Sequence, residues 1–176
     1  MKKTLFKILL SILTISAVVC IITLIIGAEN TLSSNIMGTT LILFGFSILG
    51  LFCNLTYDKY KMLSQVGILV CLISCIYCLL NEWNVIPYFN IDVDLSLLIM
   101  SVAFAHTCLL LGMESSDVKV KYIKLATILL SLINYVFMLI ETFFNLYLNY
   151  RVYIILFMLS ILGTIAIPVI NKIKKM

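Results

Sequence analysis

Charge is scarce in this sequence. Lys and Arg number 12 and Asp and Glu 8 among 176 residues, 11% of the chain. Ordinary globular domains carry about 25% charged and about 45–50% apolar residues, whereas the apolar share here is 63%. A water-soluble fold of this size has too few charges to cover so much apolar side chain, so the solvent is lipid. Histidine occurs once, which denies any ligand set the second imidazole it commonly uses. Glycine-rich phosphate loops, nucleophile elbows and HExxH sequences are absent, and with them the commonest nucleotide, hydrolase and zinc-protease signatures. No catalytic, cofactor-binding or metal-binding residue is assigned, and no cofactor is expected.

Cysteine is present six times. Cys20, Cys53, Cys71, Cys75, Cys78 and Cys108 all fall within or at the edges of apolar runs. Disulfide frameworks staple exposed loops in oxidising compartments, so these positions read as buried free thiols. The net charge of +4 is spread over the loops and ends, a pattern of membrane orientation and not of a nucleic-acid surface.

The few charges mark out the apolar runs. Lys7 to Glu29 encloses 21 uncharged residues, Glu29 to Asp58 28, Lys61 to Glu82 20, Asp94 to Glu114 19 and Arg151 to Lys172 20. Lys124 to Arg151 is broken only by Glu141. At about 1.5 Å per residue, ~20 residues match a hydrocarbon core of ~30 Å. Every backbone polar group must be paired internally in lipid, which favours helices. Transmembrane strands would alternate polar and apolar residues, and Leu41–Cys53 and Ile154–Ile167 do not. The expectation is a single all-α, polytopic transmembrane helical bundle of six spans: Phe6–Ile26, Ile36–Cys53, Met62–Leu80, Leu95–Gly112, Ala126–Phe144 and Val152–Ile170. Short connections make consecutive helices antiparallel neighbours. The longest, Asn81–Asp94, carries Trp83, Pro87, Tyr88 and Phe89, aromatics suited to the headgroup region.

Lysine placement sets the orientation. With six spans, eleven of the twelve basic residues, Lys2 through Lys175, share one face and only Arg151 lies on the other. The positive-inside rule makes that face cytoplasmic, N-in and C-in. The basic start and Cys20 resemble a secretory or lipoprotein signal, but Val18 and Val19 precede the cysteine where a small residue is preferred. The run also continues through Ile26 to spanning length, so an uncleaved first helix is the better reading. Asn54-Leu55-Thr56 matches a glycosylation acceptor but falls on the cytoplasmic edge.

One segment echoes another. Ile42–Gly50 and Ile155–Gly163 agree at seven of nine positions, including a Ser and a Gly three residues apart that let helix backbones approach closely. In so Leu- and Ile-rich a chain, chance is the stronger explanation.

Polar residues at membrane depth are costly and therefore worth explaining. His106 sits well inside the fourth span. It reads as a neutral imidazole bonded to a neighbouring helix, with a haem or metal ligand or a proton relay as the functional alternative. Glu141 lies near the outer end of the fifth span, with Asn134 at i−7 on nearly the same face. That pair reads as an interfacial acid and an interhelical amide, or else as the lining of a cation or proton path. Cys71, Cys75 and Cys78 share one helix face but extend over about 10 Å, too far for one tetrahedral ion.

Gly45-Phe46-Ser47-Ile48-Leu49-Gly50-Leu51, Ala105-His106, and Leu162-Gly163-Thr164 followed by Pro168 and Asn171 resemble a family of small uncharacterised bacterial six-helix integral membrane proteins. The resemblance extends over nearly the whole chain. It implies a bacterial source and hence the inner membrane, and it brings no activity and no functional residue.

The expected function is a non-catalytic membrane component or partner subunit, associated with the lipid bilayer and with other membrane proteins or itself, and not with nucleic acid. A small transporter or channel using Glu141, Asn134 and His106 is the alternative, and an intramembrane redox or haem protein the second. Reporter fusions check the topology: one in the Asn81–Asp94 connection should face outward and one at the C-terminus inward. Both on one side would rule out six spans.

Overall fold

The computed structural model describes residues 2–26, 31–85, 91–113, 117–144 and 150–173. Over these the chain forms six α-helices and no strand: α1 Lys2–Ile26, α2 Thr31–Leu55, α3 Lys61–Glu82, α4 Ile91–Gly112, α5 Val118–Phe144 and α6 Tyr150–Ile173. Five, α1 to α5, are long and apolar enough to cross a membrane, and α6 has a shorter apolar stretch, Ile154–Ile170. This is the make-up of a multi-pass helical membrane protein.

The helices outrun the apolar intervals because hydrogen bonding continues into the headgroup zone while hydropathy falls. α5 shows this best, starting eight residues before the expected Ala126. Asp117 begins it, its Oδ1 accepting from the Lys119 amide at 2.8 Å, a side-chain cap for an otherwise orphaned donor. Lys124, one turn further on, donates from Nζ to the carbonyls of Leu111 at 3.2 Å and Met113 at 2.9 Å. A lysine of α5 thus closes the C-terminus of α4, where a positive charge meets the negative end of the helix dipole.

α3 ends differently. Asn84 takes a left-handed conformation, φ 51°, and the Val85 and Asn84 amides turn back to the carbonyls of Leu80 and Asn81 at 2.9 and 2.8 Å. These two bonds form a Schellman closure with Asn in the place usually held by glycine. Trp83 then donates from Nε1 to Thr39 Oγ1 at 2.9 Å, fastening the end of α3 to the start of α2. Pro87, Tyr88 and Phe89 lie outside the described residues.

Each helix packs on its successor, and α2 also packs on α4. α2 and α4 are therefore the two central helices, and α4 also meets α6 through Leu110 and His106. Two apolar clusters result. The larger joins Phe46 and Cys53 of α2, Ile68 and Cys71 of α3, and Ala105 and Cys108 of α4. The smaller joins Leu110 of α4, Val120 of α5 and Ile167 of α6. Around them the usual polarity is inverted. Among the described residues the buried polar side chains are all Ser, Thr or Asn, while large aliphatics such as Ile25 (80% exposed) and Met62 (82%) face outward. Small hydroxyl residues inside and Leu and Ile outside are what lipid selects.

The basic end is gathered by contact. Lys2 pairs with Asp58, Gly112 lies against Leu55 and Thr56, and Lys124 reaches the end of α4. Lys2, Lys59, Lys61, Lys119, Lys121 and Lys124 therefore share one end of the bundle.

Two glycines are needed for close approach. A Cβ at Gly67 of α3 would stand 2.8 Å from Cys53 Sγ, and one at Gly163 of α6 would run into the Thr127 side chain of α5. A Cβ at Gly45 would meet nothing within 4 Å. Gly67→Ala and Gly163→Ala should each destabilise the bundle by about 1–3 kcal/mol through overpacking. Gly45→Ala should stabilise it by about 0.5–1 kcal/mol through helix entropy. Equilibrium unfolding in mixed detergent micelles checks the sign of each.

Candidate functional site

The polar groups of α4, α5 and α6 meet at His106. Its Nδ1 lies 3.1 Å from the Tyr135 hydroxyl of α5 and its Nε2 lies 2.9 Å from Thr164 Oγ1 of α6. The imidazole and phenol rings stand edge to face, with centroids 6.2 Å apart and planes at 89°. Proton arithmetic assigns the tautomer. The Thr164 hydroxyl donates its only hydrogen to the Ser160 carbonyl at 2.8 Å, so it can only accept from His106. Nε2 then carries the hydrogen and Nδ1 accepts from Tyr135. The neutral ring is satisfied at both nitrogens. A second proton on it would force the Tyr135 hydroxyl to turn and give up its acceptor.

Why α6 presents Thr164 here follows from the local sequence. Pro168, four residues on, lies inside the helix and lacks the amide that would bond the Thr164 carbonyl. One turn earlier, Ser160 approaches Ser131 of α5, Oγ to Oγ at 2.5 Å. Ser131 gives its hydrogen to the Thr127 carbonyl at 2.7 Å, so Ser160 is the donor across the interface. Gly163, between Ser160 and Thr164, admits Thr127. The interface of α5 and α6 is thus a ladder of hydroxyls and one missing side chain.

A second serine contact joins α3 and α4. Ser101 donates to Ser74 Oγ at 2.8 Å, and Ser74 reaches the Leu97 carbonyl of α4 at 3.1 Å.

Asn134 is 2% exposed. Its Oδ1 has no hydrogen-bond partner among the described residues, in common with Asn54 Oδ1 and Ser64 Oγ. Glu141, two turns along α5, is half-buried at about 10 Å of helix rise from Asn134. The structure brings His106 together with Tyr135 and Thr164. It shows no hydrogen bond from either Asn134 or Glu141 to that junction.

The cysteines group otherwise than their spacing on α3 suggests. Cys71 turns inward and packs with Cys53 of α2 and Cys108 of α4 in the larger apolar cluster. All three are buried. Cys75 lines a cleft toward α1 and α2, and Cys78 donates its thiol hydrogen to Asp94 Oδ1 at 3.1 Å. Helical spacing reports which residues share a face, not which partners that face meets. Cys53 and Cys108 therefore gave no signal in the sequence, and neither did Tyr135, an ordinary aromatic in an apolar run. Among the described residues no group of three or more His, Cys, Asp or Glu is arranged to hold a metal ion.

No family model, curated protein or solved structure matches the chain.

The His106 junction can be weighed by double-mutant cycle. Tyr135→Phe should cost about 0.6 kcal/mol, the average interhelical hydrogen bond in a bilayer, and His106→Ala about 1–3 kcal/mol, because it removes two such bonds and leaves a cavity. The two costs should sum to more than that of the double variant. Strict additivity in detergent unfolding would show that no bond is shared.

Proposed function

We propose that the chain is a non-catalytic component of a bacterial cytoplasmic membrane, spanning it six times with both ends in the cytoplasm. Its role is to assemble with other membrane proteins or with itself. The observation that carries this reading is how the intramembrane polar groups are used. Both nitrogens of His106 are taken by side chains of the two adjoining helices, and Ser74, Ser101, Ser131 and Ser160 bond helix to helix. Polar groups used in this way specify packing.

The six-span orientation is supported by the shared end of the lysines, given the positive-inside rule. α6 is 24 residues long, about 36 Å at the helical rise, which suffices for a sixth span. The bacterial inner membrane is supported by the family resemblance.

A transporter is the second reading. It draws on Asn134, whose buried carbonyl oxygen has no partner among the described residues, and on the half-buried Glu141 of the same helix face. In transporters such groups line ion paths.

Affinity purification from native membranes discriminates. A defined membrane-protein partner, or a stable homo-oligomer, is the expected result. The purified protein should show no haem absorbance and no stoichiometric metal; a Soret band lost in His106→Ala would overturn the proposal. Proton flux in proteoliposomes that Glu141→Gln abolishes would install the transporter in its place.

A further inference from the structure

α1 and α3 each lie against α2, and an apolar groove runs between them. Toward mid-bundle its walls are Leu9 and Ile12 of α1 and Ile68 and Leu72 of α3, with Phe46 and Gly50 of α2 as the floor. Toward the basic end it continues past the same Ile68 and Leu72 to Leu5, Tyr57 and Gln65. Its lining is apolar until that mouth.

Both walls carry the same pattern. On α3 the groove face reads Lys61, Gln65, Ile68, Leu72 and Cys75, spaced i, i+4, i+7, i+11, i+14. On α1 it reads Lys2, Leu5, Leu9 and Ile12, spaced i, i+3, i+7, i+10. Each stripe therefore begins with a lysine at the basic end and is apolar inward of it. From Gln65 to Cys75 the helix rises about 15 Å, half of a ~30 Å hydrocarbon core. The groove is one leaflet deep. It is open at the level of the headgroups on the lysine side.

The mouth is positive. By helix register Lys2, Lys3, Lys59 and Lys61 fall at this end, and among the described residues Asp58, paired with Lys2, is the acid beside them. Three positive charges remain uncompensated, and Lys59 and Lys61 are exposed. Length, apolarity and charge together suit one ligand class.

We infer that the groove between α1 and α3 is a binding site for an anionic glycerophospholipid, one acyl chain lying along Ile68 and Leu72 and the phosphate headgroup resting at Lys59 and Lys61. This rests on the membrane-spanning reading. Tyr57 and Gln65, at the boundary between the apolar walls and the lysines, stand where the glycerol esters fall. Zwitterionic lipids fit the same walls but gain less from the mouth, so selectivity resides in the lysines and occupancy in the walls.

Native mass spectrometry of the full chain, released from micelles containing equal phosphatidylglycerol and phosphatidylcholine of matched chains, tests the site. One retained phosphatidylglycerol is expected, favoured over phosphatidylcholine by about 25-fold, about five-fold for each of the two lysines. Lys59→Gln and Lys61→Gln should each lower that preference about five-fold, the value of one lysine at an anionic surface. Leu72→Trp fills the groove and should reduce retention of both lipids. Ile155→Trp, on the outer face of α6 at 59% exposure, should leave both unchanged. Equal retention of the two lipids, or equal losses from the two tryptophan variants, would overturn the inference. Alkaline carbonate extraction of native membranes tests the underlying reading separately. A chain released by carbonate is not membrane-spanning, whereas one that resists extraction yet shows no lipid preference loses only the site.

Discussion

In hydrocarbon a polar hydrogen can bond only to another part of the protein, and the interior of this bundle is arranged around that constraint. Several interior hydroxyls turn back to a carbonyl one turn earlier on their own helix: Ser47 to Leu43, Ser131 to Thr127, Thr164 to Ser160. This local bond uses the hydrogen and leaves the oxygen able to accept. A neighbouring helix then supplies a donor, as Ser160 does for Ser131 and His106 for Thr164. Hydroxyls thereby become one-way acceptors, which is why the contacts between helices have a defined direction.

The same constraint accounts for the small residues. Hydroxyl contacts of 2.5 to 2.8 Å between helices require backbones that come close, and Gly67 and Gly163 remove side chains where they do. The echo between Ile42–Gly50 and Ile155–Gly163 has a spatial counterpart. Gly50 faces Leu9 of α1 and Gly163 faces Thr127 of α5, so each lies against the preceding helix of its own hairpin. The serines differ in use, because Ser160 bonds across to α5 whereas Ser47 bonds its own backbone.

Much of the fold was legible in the spacing of charges, since ionisable residues in a lipid-facing chain are confined mainly to the ends of helices. Helix number and neighbour order follow from it. Helix ends do not: Lys119, Lys121 and Lys124 lie inside α5 because long lysine stems let the charge reach water from a helical position. His106 was legible as an anomaly, the single imidazole in an apolar run. Its partners were not, because Tyr135 and Thr164 are 29 and 58 residues away and carry no mark of their own. The three converging thiols were illegible for a related reason. Cys71, Cys75 and Cys78 share a face in one dimension, but which thiol meets Cys53 depends on how α2 crosses α3.

The way α4 is used has a consequence for biogenesis. α2, α3 and α4 pack on one another and α1 packs on α2, whereas α5 touches only α4 and α6 extensively. Synthesis proceeds from the N-terminus and domains settle as units, so the first four helices can assemble, thiols and serines included, while the last hairpin is still being made. During that interval His106 has neither Tyr135 nor Thr164 to bond. The imidazole then marks the face of the half-built bundle that the final hairpin must cover, and its two hydrogen bonds close only when the chain is complete.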